Sequence, residues 1–385
     1  MFSGIPSDPA KRLDLVLQVI CLALGALVFL SHPLWLSERN YPMAPLLSWI
    51  PAFSFPLDAV VAGVFIVLPF LILFSRSIRG LTIAYLLLYI VLIMQDQNRL
   101  QPYYVQLLAM LLVVSGVGLG RKVRELAGAK QGGLSSGQPA AQPATLPATL
   151  PAGQSTLKLH LLSIVLFGTY LWAGIHKINP YFQERFADFG AGYWIPVAEI
   201  SLALGLLWPS TRRVAVVGLV CMHLGIAVAL SPWFYGWNLI VIPWNLALGA
   251  INVLVFWPAK ESALHWLRPQ GTPLLQPLLI LVFVLLPALN LVGRWDHYLS
   301  ASLYSYKVPF AKIYLAPEHA ANLPEHIEKY VFDDEQGLFV EVTYWAMGEL
   351  QTAPYPEERV YEQVRAYLCN FSPGDSCMAR LVYYW

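Results

Sequence analysis

Charge is what this chain is short of. Only 12% of its 385 residues are Asp, Glu, Lys or Arg, where an ordinary soluble domain carries roughly 25%. With 57% of the residues hydrophobic, a water-facing surface cannot cover this much apolar sequence, so a purely soluble fold is excluded. No basic run with interleaved aromatics occurs, which argues against a nucleic-acid partner. Cysteine is scarce as well, at four residues. Cys21 and Cys221 lie in apolar runs, where a free thiol acts as a small apolar side chain. Cys369 and Cys377 sit together near the C-terminus and form the one plausible disulfide pair. No small-residue cleavage site follows the first apolar run, Leu13 to Leu30, and that run is too long for a signal-peptide core. It reads as an uncleaved first span.

What is present is apolar sequence in lengths that fit a bilayer. A hydrocarbon core about 30 Å thick needs ~20 apolar residues at 1.5 Å each. Nine segments approach this: 13–33, 57–75, 79–95, 103–120, 157–176, 192–208, 212–231, 237–257 and 275–293. The expected fold class is an all-α polytopic transmembrane helix bundle of about nine spans, with a small C-terminal α/β extracytoplasmic domain. Four regions follow: helices in 1–126, a disordered cytoplasmic linker in 127–156, a five-helix part in 157–294, and a soluble cap in 295–385. The linker is built from Ala, Pro, Gly, Ser, Gln and Thr and cannot bury a core. In the cap, strand-like runs at Gly337 to Tyr344 and Met378 to Tyr384 accompany an amphipathic helix opening at Pro356-Glu357 and running to about Tyr367.

Charge distribution orients the chain. Residues 295–385 hold 13 acidic against 6 basic residues, and residues 1–294 hold 10 against 18. With the N-terminus in the cytoplasm, thirteen Lys and Arg fall on the inner side, among them Arg12, Arg79, Lys158 and Arg212. Only Arg39, Arg99, Lys177 and Arg185 fall on the outer side. Lysine and arginine favour the cytoplasmic face, so the cap is expected outside the cytoplasm, where a disulfide persists.

Ionisable groups inside spans cost about 2.5–3.5 kcal/mol each on insertion scales and therefore need a reason. Glu199 lies in the sixth span and His223 in the antiparallel seventh, both ~10–12 Å below the outer surface at 1.5 Å per residue. Equal depth allows them to meet across a helix interface, with helix rotation deciding whether they do. Asn245 in the eighth span and Tyr170 in the fifth fall at similar depth. This belt reads either as an outward-opening polar site or as interhelical hydrogen bonds of ~0.6 kcal/mol each that hold the bundle together. The segment Tyr170-Leu-Trp-Ala-Gly-Ile-His-Lys-Ile-Asn-Pro180 is the most informative. Ala173-Gly174 permits close backbone approach, Asn179-Pro180 ends the helix, and His176 and Lys177 stand at its mouth. Lys177 either snorkels to headgroups or enters a cavity with a lowered pKa and acts as a base.

That segment resembles the corresponding stretch of vitamin K-dependent gamma-carboxylase and its bacterial relatives, the HTTM proteins. There an aromatic residue, a small pair and two basic residues precede a helix end. The resemblance implies that Lys177 is the base that deprotonates a lipid quinol, with His176 beside it, Glu199 and His223 as the polar floor, and Tyr170, Trp172 and Asn245 against the bound ring. Thr211-Arg212-Arg213, Cys221-Met222-His223 and Leu303-Tyr304-Ser305-Tyr306 continue the likeness, which covers roughly 160–306. Gln95-Asp96-Gln97-Asn98-Arg99-Leu100-Gln101-Pro102 is similar to a polar signature of DoxX- and MauE-like membrane proteins, or is an ordinary polar turn. Two functions follow as expectations. One is a quinol-dependent oxidative enzyme of the bacterial inner membrane. The other is a non-enzymatic redox-associated or scaffold protein. The expected partners are the lipid bilayer, a lipid-soluble quinone, and a protein that binds the acidic C-terminal domain. A transporter is disfavoured, because no inverted repeat is visible.

Overall fold

The computed structural model describes residues 4–47, 49–75, 77–117, 119, 152–185, 187, 192–262, 264–267, 274–303, 308–372 and 379–384. Nine apolar helices follow one another: α1 (Pro9–Leu30), α2 (Leu57–Phe74), α3 (Ile78–Gln95), α4 (Pro102–Ser115), α5 (Ala152–His176), α6 (Trp194–Gly205), α7 (Pro209–Ala229), α8 (Val241–Phe256) and α9 (Leu275–Asn290). Among the described residues, α1, α2, α3, α5 and α7 are long and apolar enough to cross a membrane, and the other four are shorter. Local chemistry sets the starts. Asp8 accepts from the Ala10 amide at 3.0 Å with Pro9 at the first helical position, and Pro102 and Pro209 take the first position of α4 and α7 without a side-chain cap. The expected linker lies largely outside the described residues, but 152–156 already belong to α5.

The short helices have a common device at their ends. Three of them stop where a basic side chain meets their last carbonyls, the orphan acceptors at the negative end of a helix. Arg79 and Lys158 donate to the Ser115 and Val114 carbonyls of α4, at 3.2 and 2.6 Å. Arg212 donates to the Leu206 carbonyl after α6 at 2.8 Å and to that of Ala259 after α8 at 3.0 Å. Arg12 reaches the Leu254 carbonyl of α8 at 3.3 Å. Arg12, Lys158 and Arg212 are buried. A helix ending on such a cation inside protein has no need to reach the full bilayer thickness.

Helix α9 is irregular for a readable reason. Pro287 lacks an N–H and its ring crowds the carbonyl four residues back, and Leu281–Leu285 widens into a π-helical turn. This turn presses on α5 at Gly168, where a Cβ would lie 2.2 Å from the Phe283 carbonyl oxygen. One turn further along α5, the Trp172 indole donates to the Val284 carbonyl at 2.9 Å.

The C-terminal cap is a four-stranded antiparallel sheet in the order β2-β3-β1-β4, with β1 (Phe310–Leu315), β2 (Val331–Asp334), β3 (Gly337–Glu341) and β4 (Ala379–Tyr384). Helices α10 (Val342–Leu350) and α11 (Glu358–Cys369) bury its inner side, where Ile313, Val340, Trp345, Val364 and Leu368 meet. The expected strand over 337–344 stops early. Glu341 accepts from the Tyr344 amide at 2.6 Å and starts α10, so an N-cap replaces the last strand residues. Cys369 is disulfide-bonded, while Cys377 lies outside the described residues.

The cap is clamped to the bundle by the polar segment after α3. Asp96 pairs with Arg39 at 2.6 Å and accepts from the Ala44 and Asn98 amides at 3.0 and 3.2 Å. Arg99 donates to the carbonyls of Leu34, Trp35 and Leu92 at 3.0–3.2 Å. Burial lowers its guanidinium to about 10, which leaves it charged at neutral pH. Gln97 donates to Glu357 at 2.5 Å, Gln101 to the Ala353 carbonyl at 3.0 Å, and Asn98 accepts from the Tyr355 amide at 3.0 Å. The segment is thus a buried joint and not an ordinary polar turn.

Candidate functional site

Two polar groupings are carried by α5, α6, α7 and α8 and the residue that follows α5. In the first, Lys177, one residue past the end of α5, donates to the Glu199 carboxylate of α6. Glu199 is 5% exposed and Lys177 18%, so the pair is buried from the acid side and open from the amine side. The close approach comes from Gly174, where a Cβ would lie 2.7 Å from Ile200 Cγ1 and 3.1 Å from the Ile200 amide nitrogen. Asn179 receives the Phe182 amide at 2.9 Å and starts the short helix Pro180–Arg185, which turns the chain away from the mouth of α5. Ile178, next to Lys177 in the chain, is exposed, as are Tyr193, Trp194 and Val197 around the start of α6.

The second grouping is a hydrogen-bond chain through α5, α7 and α8. Asn245 donates its amide to the Val241 carbonyl at 2.8 Å, so its Oδ1 points to His223 Nδ1, also at 2.8 Å. An amide oxygen only accepts, so Nδ1 carries the proton and His223 Nε2 is an acceptor. The Tyr170 hydroxyl therefore donates to Nε2 at 2.7 Å. Its oxygen in turn accepts from Asn252 Nδ2 at 2.5 Å, whose orientation is fixed by a second bond to the Leu248 carbonyl at 2.8 Å. The chain runs Asn252 to Tyr170 to His223 to Asn245, with every proton assigned by its end carbonyls. All four side chains are buried.

The structure brings the expected belt together but rearranges its partners. Tyr170, His223 and Asn245 touch, as their common depth implied. Of the meetings that depth allowed, that of Glu199 with His223 is not made: Glu199 turns to Lys177, and His223 to Tyr170 and Asn245. Depth follows from residue count, whereas the facing direction depends on helix rotation. His176 is buried and its ring stacks on Trp172 at 5.6 Å between centroids. Trp172 itself is committed to the Val284 carbonyl, which makes it part of the α5–α9 contact. Of Leu303 to Tyr306, only Leu303 lies within the described residues. Asn252 escaped the sequence reading. Its signal was its spacing, seven residues or two turns beyond Asn245 on the same helical face.

A further polar contact joins α4, α5 and α8. Trp244 donates to Gln106 at 2.8 Å and Gln106 to Thr169 at 3.1 Å. These residues line a cavity of about 30 Å³, together with Trp172 and Phe283. It has room for about one water molecule and none for a quinol ring. Among the described residues, no cluster of three or more His, Cys, Asp or Glu is arranged to hold a metal ion. No family model, curated protein or solved structure matches the chain.

Proposed function

We propose that the protein is a membrane enzyme that binds and deprotonates a lipid-soluble quinol at the Lys177–Glu199 pair, preparing it for oxidation. The observation that carries this reading is the asymmetric burial of that pair. A carboxylate held out of water is matched by a partly exposed amine, and the start of α6, the helix that carries the carboxylate, has exposed apolar and aromatic side chains. An ion pair of zero net charge is tolerated there far better than a lone charge. A quinol arriving through the bilayer meets the amine first. Lys177 hands its proton to Glu199 and takes the hydroxyl proton, so the pair ends as an ammonium beside a neutral carboxyl group and the quinol as its anion. The resemblance of Tyr170 to Pro180 to the carboxylase and HTTM proteins supports the same assignment of Lys177.

The test is quinol oxidation by purified protein, wild type against Lys177→Ala and Glu199→Gln. General-base catalysis contributes about 10²–10⁴-fold, and a loss of that order is expected for Lys177→Ala. Unchanged turnover in both variants overturns the assignment. One observation favours a second reading, a non-enzymatic scaffold. The Tyr170–His223–Asn245 chain is bonded internally, as a purely structural contact requires. Unaltered quinol turnover together with destabilised variants is the signature of that reading.

The finer topology belongs to this proposal: nine crossings of a bacterial inner membrane, N-terminus in the cytoplasm, cap outside. It is supported by which loops the cap touches. Asn40, Pro45, Gln97, Tyr181 and Trp237 contact it, and all lie in connections assigned to the outer side. Arg12, Arg79, Lys158 and Arg212 cap helix ends assigned to the inner side. In spheroplasts, a membrane-impermeant thiol reagent is expected to label Cys369 after reduction. Labelling only after lysis reverses the orientation.

A further inference from the structure

The surface of the cap is polar with one exception. Among its described residues, the exposed side chains are charged, polar or small, save Phe332 and Tyr344 at 40% and 49% exposure. The two stand together. Phe332 lies on the edge strand β2 and Tyr344 in the first turn of α10, with ring centroids 5.8 Å apart. Tyr344 in turn meets Trp237, in the connection between α7 and α8, at 5.3 Å. Single exposed apolar side chains scattered over a soluble surface need no explanation. Here both fall at one place, and that place abuts the bundle.

It is also the end of a longer apolar surface. The α7–α8 connection folds back on itself: the amides of Phe234 and Gly236 both donate to the Ser231 carbonyl at 3.0 Å. Gly236 takes a φ of 58°, which only glycine adopts freely. This compact turn leaves Trp233, Phe234 and Tyr235 exposed, Trp233 at 87%. On α7, which leads into the turn, Leu224, Ile226 and Val228 are exposed as well. Helix α7 is long and apolar enough to cross a membrane. Exposed apolar side chains therefore follow one another from α7 through the turn and Trp237 to Tyr344 and Phe332.

We propose that the cap rests on the bilayer, with Tyr344 and Phe332 in the headgroup layer of the leaflet that receives the α7–α8 turn. Continuity decides the occupant. Aromatic side chains collect at the headgroup level of a bilayer, and this surface reaches the cap from a helix of membrane-spanning length. A soluble partner would have to cover Phe332 and Tyr344 while straddling a turn whose own rings belong in lipid. Asp333 and Glu335, exposed on the same hairpin as Phe332, are repelled by an anionic leaflet, so the fitting partner is zwitterionic phospholipid. The contact gives the cap a second hold beside the joint after α3. It is independent of what happens at Lys177 and of which side of the membrane carries the cap.

The test uses full-length wild-type protein in bilayer discs of dioleoyl phosphatidylcholine. The discs are doped with a phosphatidylcholine that carries a diazirine at the start of one acyl chain. On illumination the carbene inserts into whatever it touches, and peptide mass spectrometry locates the adducts. Adducts are expected at 233–237 and at both Phe332 and Tyr344, and are expected to be absent from exposed polar stretches of the cap such as 317–322. Adducts spread evenly over the cap overturn the proposal. So do adducts confined to 233–237, which leave Phe332 and Tyr344 to a protein partner. An unlabelled turn overturns it as well, because the surface then does not start in the membrane.

Discussion

The joint after α3 and the chain around His223 are both buried and both polar, yet they are wired differently. At the joint, most bonds of Arg39 and Arg99 end on backbone carbonyls: Leu34, Tyr41 and Pro42 for Arg39, and Leu34, Trp35 and Leu92 for Arg99. Around His223, the linking bonds run from side chain to side chain, as does the Lys177–Glu199 contact. A backbone carbonyl cannot change protonation and cannot turn away without rearranging the main chain around it. Side chains do both. Groups that finish helix ends are therefore expected to be matters of stability, and groups that bond one another are the ones able to move a proton.

The strongest way to break this contrast is Asp96→Ala. It leaves Arg39 buried without its counter-charge, and removing one partner of a buried pair costs about 3–5 kcal/mol. A large fall in thermal unfolding temperature, with the cap opened to protease, is expected. Quinol turnover per folded molecule should be unchanged. A smaller effect is expected from Tyr170→Phe, which leaves His223 Nε2 buried without its donor at about 1–3 kcal/mol. Denaturation of the purified protein in mixed micelles measures it. If Tyr170→Phe costs as much as Asp96→Ala, the distinction between the two clusters fails. Trp172→Phe removes one interhelical bond to Val284 and should cost ~0.6 kcal/mol, near the membrane average.

The mildest prediction concerns pH. The Lys312 ammonium, bonded to Asp334, and the Tyr314 hydroxyl hold that carboxyl at about 2, below its usual 3.8. A carboxyl lowered in the folded state contributes stability that is present above pH 3.8 and lost as pH falls through about 2. Acid titration of the cap, followed by tyrosine fluorescence, should therefore show the Lys312–Asp334 contact intact at pH 4 and lost near pH 2. Opening above pH 4 would show that the contact does not hold Asp334.

The helices were legible because hydropathy and length speak directly to a bilayer, and Pro9, Pro102 and Pro209 mark their starts. The shortness of α4, α6 and α8 was not legible. Their ends are set by Arg79, Lys158, Arg212 and Arg12, which come from elsewhere in the chain and register in the sequence only as inner-side charge. Arg39 and Arg99 looked like loop charges for the same reason, since their acceptors are carbonyls and leave no residue signature. At the candidate site, depth was readable by counting residues and rotation was not. Tyr170, His223 and Asn245 could thus be grouped by depth, while the partner of Glu199, Lys177, was set by rotation.

The cation at the end of α8 also sets a clock. Arg12 is made well before its carbonyl acceptors, which lie 242 and 243 positions later. At ~5–20 residues per second of synthesis they emerge about 12–50 s after it. Throughout that interval the guanidinium has only water, lipid phosphates or an insertion factor to turn to. Helix α1, which runs beside α8 in the finished bundle, can reach its final depth only when the eighth helix arrives. Helix α1 is made well before α8 yet settles only with it, and a ribosome stalled before residue 254 should leave it loose.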